Sequence, residues 1–190
     1  GDDALTPLAH LAAVTSTLRL ATGIVQVGAR SPAMLAMQAM SVQQLSGGRL
    51  VLGLGSSGPR IMEAWHGVPF RKPVATMRET IEIVRRIARG DRLDHHGEVY
   101  DLPPEGAGRG IRSMVPPVPP IPMVIAALGP RNLELTGEIA DGWLGNAFLP
   151  EHADVFLDPI HIGCARAGRT IDELELVMPV AVEFTDDADQ

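Results

Sequence analysis

The sequence is poor in cysteine, in aromatic residues and in basic charge. One cysteine, Cys164, among 190 residues leaves no internal disulfide to form, which fits a reducing cytoplasm. Aromatics make up only 4%, so any core must be built from Leu, Ile, Val, Ala and Met. The 16 basic residues are outnumbered by 23 acidic ones, for a net charge of −7. That balance argues against nucleic acid or an anionic membrane as the main partner, while leaving room for a local basic pocket. No apolar run approaches the roughly 20 residues of a membrane span, and the N-terminus lacks the basic-then-apolar layout of a signal peptide. A chain of 190 residues can bury a sizeable core as one domain, and no linker divides residues 1–190. The expectation is a soluble, cytoplasmic protein.

The most informative stretch is Leu18–Gly58. Leu18–Val27 is apolar and β-branched, as suits a strand buried on both faces. Ser31-Pro32 is a helix start, with Ser as N-cap and Pro at the first helical position. Leu35, Ala39, Val42 and Leu45 recur at helical spacing until Gly47-Gly48 ends the helix. Arg49–Gly55 is a second strand that runs into the loop Gly55-Ser56-Ser57-Gly58. Such a β-α-β unit makes two parallel strands with a right-handed crossover. Ligands bind at the C-terminal ends of such strands, which directs attention to Gly23–Arg30 and Gly53–Gly58.

Elsewhere, Thr6-Pro7 is another N-cap and first-turn pair, opening a helix to about Val14, and Trp65–Lys72 is loop. Pro73 or Thr76 starts a helix to Arg89 with Met77, Ile81, Val84 and Ala88 on one face and a Glu82–Arg86 surface pair. A hairpin is predicted around His95–Tyr100. The Gly- and Pro-rich run from Leu102 to Pro120 reads as a functional lid or a mobile loop. Ile121–Ala127 is a strand, Gly129-Pro130 starts a helix closed by Gly142, and Trp143–Phe148 is the next strand. Pro150 opens a helix that Pro159 should interrupt, at a cost of roughly 3 kcal/mol. Leu174–Phe184 is a last strand, and Thr185-Asp186-Asp187 resembles the acidic first turn of another helix. Five strands alternating with helices predict an α/β fold with a parallel sheet. A chain that starts on a helix and stops at a helix cap reads as part of a larger repeat of βα units.

The loop Gly53–Gly58 matches G-x-G-x-x-G, but the dinucleotide-binding reading needs a strand ending in Asp or Glu about 20 residues on, and a helix falls there instead. What survives is a glycine loop whose N–H groups and Ser56 and Ser57 hydroxyls suit a phosphate; the alternative is a simple tight loop. Ala127-Leu128-Gly129-Pro130-Arg131-Asn132 is a second anion site, where a helix N-terminus meets the Arg131 guanidinium. Alone it would be a capped helix with a surface Arg, but two such loops on one sheet edge favour a ligand. His95-His96 point to opposite faces of a strand and read as exposed hairpin residues; no metal site is expected. Asp141 reads as a turn residue, and Trp65 and Trp143 as packing residues rather than walls of a flat ligand.

These residues resemble the luciferase-like monooxygenase superfamily, especially its branch using the deazaflavin coenzyme F420. The segments that carry the resemblance are LRLATGI, SPAMLAMQAMSVQQLSGGRLVLGLGSSG, MRETIEIVRRIARGD with HGEVYDL, and VIAALGPRNLELTGEIADGWLGN; a weaker one is PEHADVF with ARAGRTIDELEL. The resemblance implies a (β/α)8 barrel of the TIM type, here with about five strands, binding its cofactor at the C-terminal face. It implies a cis peptide between Gly23 and Ile24 behind the deazaflavin ring. It also implies that Gly55, Ser56 and Ser57, with Ala127, Gly129, Pro130 and Arg131, hold the cofactor's phosphate and side chain. The family's first two strands and its last have no counterpart here, so no catalytic residue is assigned. Gly58 stands where the sugar-phosphate dehydrogenase branch has Glu, which disfavours that activity. The implied function is hydride transfer between F420 and a small organic substrate, in a homodimer. The alternatives are an FMN-dependent monooxygenase and a non-catalytic, cofactor-binding remnant.

Overall fold

The computed structural model describes residues 3–146 and 148–179. Five of its helices carry proline in their first turn: α1 (Thr6–Val14), α2 (Pro32–Leu45), α3 (Pro59–Ala64), α4 (Pro73–Ala88) and α5 (Pro130–Ile139). Proline loses nothing there, because the first N–H groups of a helix have no partner inside it. Ser31 caps α2 as expected, its hydroxyl accepting from the Met34 N–H at 3.2 Å. Thr6, expected to cap α1, is inside the helix. Asp3 replaces it, accepting from the N–H groups of Leu5 and Thr6 at 3.2 and 2.8 Å. The short helix α3 was not expected. A last helix, α6 (Asp154–Arg166), follows one 3-10 turn at Pro150–His152 and continues through Pro159. The expected interruption is overridden because α6 is clamped along α5, where Gly137 and Gly163 bring the two backbones together.

The strands are β1 (Leu20–Ala21), β2 (Val25–Gln26), β3 (Leu50–Gly55), the hairpin pair β4 (His95–His96) and β5 (Asp101–Leu102), then β6 (Met123–Ala126), β7 (Gly142–Leu144) and β8 (Glu175–Val177). The main sheet is parallel with the order β1-β3-β6-β7-β8, and β2 also pairs with β3. It is an α/β fold with a curled parallel sheet. The outer strands of a flat sheet this wide would stand about 19 Å apart, at about 4.8 Å per spacing. Arg19, just before β1, nevertheless donates to Glu175 on β8 at 2.8 and 2.7 Å, which only a curled sheet permits. Val51, Val124, Leu144 and Val177 line the concave side, while Leu50, Leu52, Leu54, Met123, Ile125 and Trp143 belong to the core. The α2 face of Leu35, Ala39 and Val42 is buried as expected; Leu45 is exposed.

Several other expectations change. The Leu18–Val27 strand is broken: Ala21 pairs with Val51 and Val25 with Leu54, so four residue steps face three and one residue is extra. Across the gap the Thr22 hydroxyl accepts from the Gly53 N–H and donates to the Gly53 carbonyl, both at 2.8 Å, replacing the missing ladder. Gly142 begins β7 rather than closing α5. Arg86 donates to the Asp94 carbonyl instead of pairing with Glu82. The Leu102–Pro120 run is no lid over the strand ends. Its C-terminal part is held at the opposite edge of the sheet, where the buried Gln43 amide donates to the carbonyls of Pro119 and Pro120 and Val118 N–H bonds Ala88 at the end of α4. The chain must return there to start β6. Residues 180–184 of the expected last strand and Thr185-Asp186-Asp187 lie outside the described residues.

Candidate functional site

The register of the central strands brings the sequence-identified residues to one edge. Gln26 is level with Gly55, and Gly55 with Ala126, so β2, β3 and β6 end together. The segments Gly23-Ile24, Gly55-Ser56-Ser57 and Ala127–Arg131 therefore border one another at the C-terminal ends of adjacent strands. The Gly23–Ile24 peptide is cis. A Cβ on Gly55 would lie 2.7 Å from Cδ1 of Ile24, so any larger residue there makes the Ile24 side chain shift. Ser57 has φ 59°, a left-handed conformation that costs a serine about 1–3 kcal/mol and that clusters at ligand sites.

Two buried polar atoms on this edge have no partner among the described residues: Ser56 Oγ, and Oδ1 of Asn132 in the first turn of α5. Gly129 is the N-cap of α5 and offers it no side-chain cap. Pro130 has no N–H, the Asn132 and Leu133 N–H groups both bond the Gly129 carbonyl at 3.0 Å, and the N–H of the exposed Arg131 has no partner among the described residues. From below, the Trp143 indole N–H donates to the Ala127 carbonyl at 2.9 Å. Trp143 is fully buried against Phe148 and Phe156, as expected of a packing residue. Trp65 departs from that expectation. It is 82% exposed and borders a polar cleft of about 650 Å³ together with Gly23, Ile24, Gln26, Arg30 and His66. His66 and Gln26 pair across this cleft at 3.1 Å. A second, more apolar cleft of about 330 Å³ lies beside Ser56, between Met62, Phe70, Thr76, Val99 and Tyr100.

Asp141 lies at the opposite end of the sheet, accepting from the Met123 N–H at 2.8 Å and from Arg85 at 2.9 Å, and is structural. His95 and His96 do face opposite ways, but only His96 is exposed, between Asp94 and Asp101. His95 is buried 3.3 Å from Glu79. That carboxylate escaped the sequence reading. Its sequence signal is a charged residue set among the buried Thr76, Thr80 and Ile83 of α4.

Glu79 accepts the N–H groups of Glu98 (2.8 Å), Val99 (3.1 Å) and Tyr100 (2.8 Å), pinning the hairpin to α4. Burial pushes its carboxyl pKa up, but the bonds from Tyr100, Glu98, His95 and Val99 outweigh that and hold it below the ordinary 4.5. A depressed carboxyl stabilises the fold fully above its unfolded pKa and loses that contribution as pH falls through the folded value. Glu79→Gln should therefore lower the urea midpoint at pH 7, and the gap from wild type should shrink on titration well below pH 4.5. A constant gap would show that the charge is not what stabilises the hairpin.

The sequence profile of the family described as luciferase-like monooxygenase matches residues 1–190. A protein of Mycobacterium tuberculosis assigned, by name only, as a coenzyme F420-dependent oxidoreductase is 40% identical, over 98% of this chain and 56% of its own length. The 5,10-methylenetetrahydromethanopterin reductase of Archaeoglobus fulgidus is 33% identical, over 96% and 53%. Among solved structures, the coenzyme F420-dependent tetrahydromethanopterin reductase of Methanopyrus kandleri superposes with a TM-score of 0.82 at 25% identity, covering 94% of this chain and 54% of that one. An F420-dependent secondary alcohol dehydrogenase with an F420-acetone adduct has a TM-score of 0.81 at 17% identity, a likeness of fold alone. The chain spans about half the length of the relatives it matches.

Proposed function

We propose, from the premise that this chain belongs to the luciferase-like monooxygenase family, that it serves as an F420-dependent oxidoreductase acting on a small organic substrate. The observation that carries this reading is the pairing of the orphaned Ser56 hydroxyl with the open N-terminus of α5, on neighbouring strand ends. A buried hydroxyl without a partner costs about 1–3 kcal/mol, a cost that a ligand oxygen would remove. The positive end of the α5 dipole, the unpartnered Arg131 N–H and the Arg131 guanidinium favour an anion, as the cofactor's phosphate requires. Gly23 and Ile24 would back the ring, and Gly55 lets the Ile24 side chain approach. When bound, the deazaflavin would carry the hydride to or from the substrate, according to its redox state; the residues of this chain hold and orient it. The single cysteine supports a cytoplasmic setting. The exposed Met34, Met37 and Leu45 on α2 supply apolar surface for a homodimer.

Fluorescence titration of the chain with F420 and, separately, with FMN tests the reading. Micromolar-range binding of F420 but not FMN is expected. The reverse preference would move the function to flavin chemistry, and binding of neither would remove the cofactor assignment from this chain. Arg131→Ala should weaken F420 binding about tenfold, the worth of one charge-assisted bond, and Ser57→Ala less. Both residues are exposed, so melting temperatures should stay within about 1–2 °C of wild type. Unchanged affinity in both variants would sink the phosphate-site assignment.

A further inference from the structure

The hairpin is the part of the edge that the cofactor reading leaves unused, although it forms one wall of the cleft beside Ser56. Val99 and Tyr100 line that cleft opposite Val27, Met62 and Phe70. Among the described residues β4 and β5 pair only with each other, so the main sheet does not hold them there. The turn between the two strands is closed on itself by one backbone bond, Gly97 N–H to the Tyr100 carbonyl at 2.9 Å. Besides the exposed Lys72–Glu98 ion pair at 2.9 Å, what fixes it to the rest of the molecule is the Glu79 carboxylate, which is only 7% exposed and receives three consecutive N–H groups from Glu98, Val99 and Tyr100. Gly97 completes the socket, since a Cβ there would lie 2.3 Å from Glu79 Oε2 and 2.6 Å from His95 Nε2. Glu79 stands three residues after Thr76, which lines the same cleft from α4. One turn of helix thus supplies both a wall residue and the anchor for the opposite wall.

We propose that Glu79 is a positioning residue of the ligand site: it touches no ligand itself, and sets the width of the cleft beside Ser56 by holding Val99 and Tyr100 in place. The inference rests on the reading that F420 occupies this edge, with part of the bound molecule lying in the cleft. A carboxylate suits this role better than an amide of the same shape. It is acceptor-only and can take all three N–H groups, whereas the amide nitrogen of glutamine would face one of them donor to donor.

The experiment pairs amide hydrogen exchange with F420 titration on the wild-type chain and on Glu79→Gln, with Glu82→Gln, exposed on the same helix, as control. In Glu79→Gln the amides of Glu98, Val99 and Tyr100 should exchange at least about tenfold faster, while the central strands stay protected. F420 affinity should fall about tenfold at a temperature where the variant is folded. Glu82→Gln should change neither. Released amides with unchanged affinity would make Glu79 a purely structural residue and overturn the inference while leaving the cofactor reading intact. Unchanged exchange would overturn it too. Failure of the wild-type chain to bind F420 would overturn the cofactor reading, and this inference with it. Should Glu79→Gln not fold, Val99→Asp places a charge in the cleft from a position 37% exposed and leaves the anchor alone. Its affinity should fall about tenfold, and an unchanged value overturns the inference.

Discussion

Replacing Arg49 with methionine should lower the melting temperature by about 6–12 °C, a larger loss than from any of the exposed ion pairs. The guanidinium donates to the carbonyls of Ser46, Leu18, Ala12 and Thr15 and to the Thr15 hydroxyl, at 2.6–3.1 Å. It thereby ties together the end of α1, the approach to β1 and the end of α2. The carbonyls of Ala12, Thr15 and Ser46 are those that a helix C-terminus leaves without partners, and a cation there also meets the negative end of the helix dipole. Hydrogen bonds to a charged group contribute about 1.5–3 kcal/mol each, but the site is half-exposed and water can recover part of the loss. A net cost of about 3 kcal/mol follows, and for a chain of this size each kcal/mol corresponds to roughly 2–4 °C. Arg49→Lys should rescue little, because three donors on a point charge cannot reproduce the planar fork. The comparison is Arg19→Met, which removes a bidentate pair whose side chains are 60% and 43% exposed and should cost under about 1 kcal/mol. Equal melting shifts in the two methionine variants would show that Arg49 does not act as a clamp.

Gly163→Ala should be at least as damaging, against the sign of helix propensity. In an ordinary helix interior this exchange stabilises by about 1 kcal/mol. Here the new Cβ would sit 1.9 Å from the Glu134 carbonyl oxygen and 2.7 Å from its carbon. Those are backbone atoms, so no rotamer change relieves the clash, and α6 must move away from α5. The reciprocal position, Gly137, would place a Cβ 2.1 Å from the Ile160 carbonyl oxygen. Separating the helices disturbs the burial of Ile160, Cys164, Leu133 and Thr136 and the Arg166 contacts with Glu134 and Glu138. A net loss of about 3 kcal/mol or more is expected, read as a lowered urea midpoint with unchanged slope. An alanine variant as stable as wild type would show that the two helices are not held at this distance.

The same contact explains why Pro159 misled. Its missing N–H counts against a helix locally, yet α6 is continuous because its contacts with α5 outweigh one lost bond. The short helix α3 went unnoticed for a different reason. Gly58-Pro59 is the same kind of start as Gly129-Pro130, but six residues with only Met62 buried carry no periodic stripe. The loop positions of Ser56, Ser57 and Arg131 were legible because they follow strongly apolar strands, whereas Gly23 fell inside the expected Leu18–Val27 strand and its role came from the family resemblance. Trp143 beneath Ala127 and Glu79 beneath the hairpin were not. Each meets a partner 16 or more residues away, and no spacing rule connects them.

The sequence by itself determined the order of helices and strands apart from α3 and the break between β1 and β2, the other proline-marked helix starts, the parallel α/β class and the two strand-end loops. Those features rest on contacts within about four residues or on alternation along a single strand. Only the tertiary structure decided that the first strand is broken and patched by Thr22, that His95 is buried while Trp65 is not, and that Glu79 anchors the hairpin. These outcomes depend on which segments meet after long loops have closed, and there the burial of a charge or the approach of two backbones outweighs local preference.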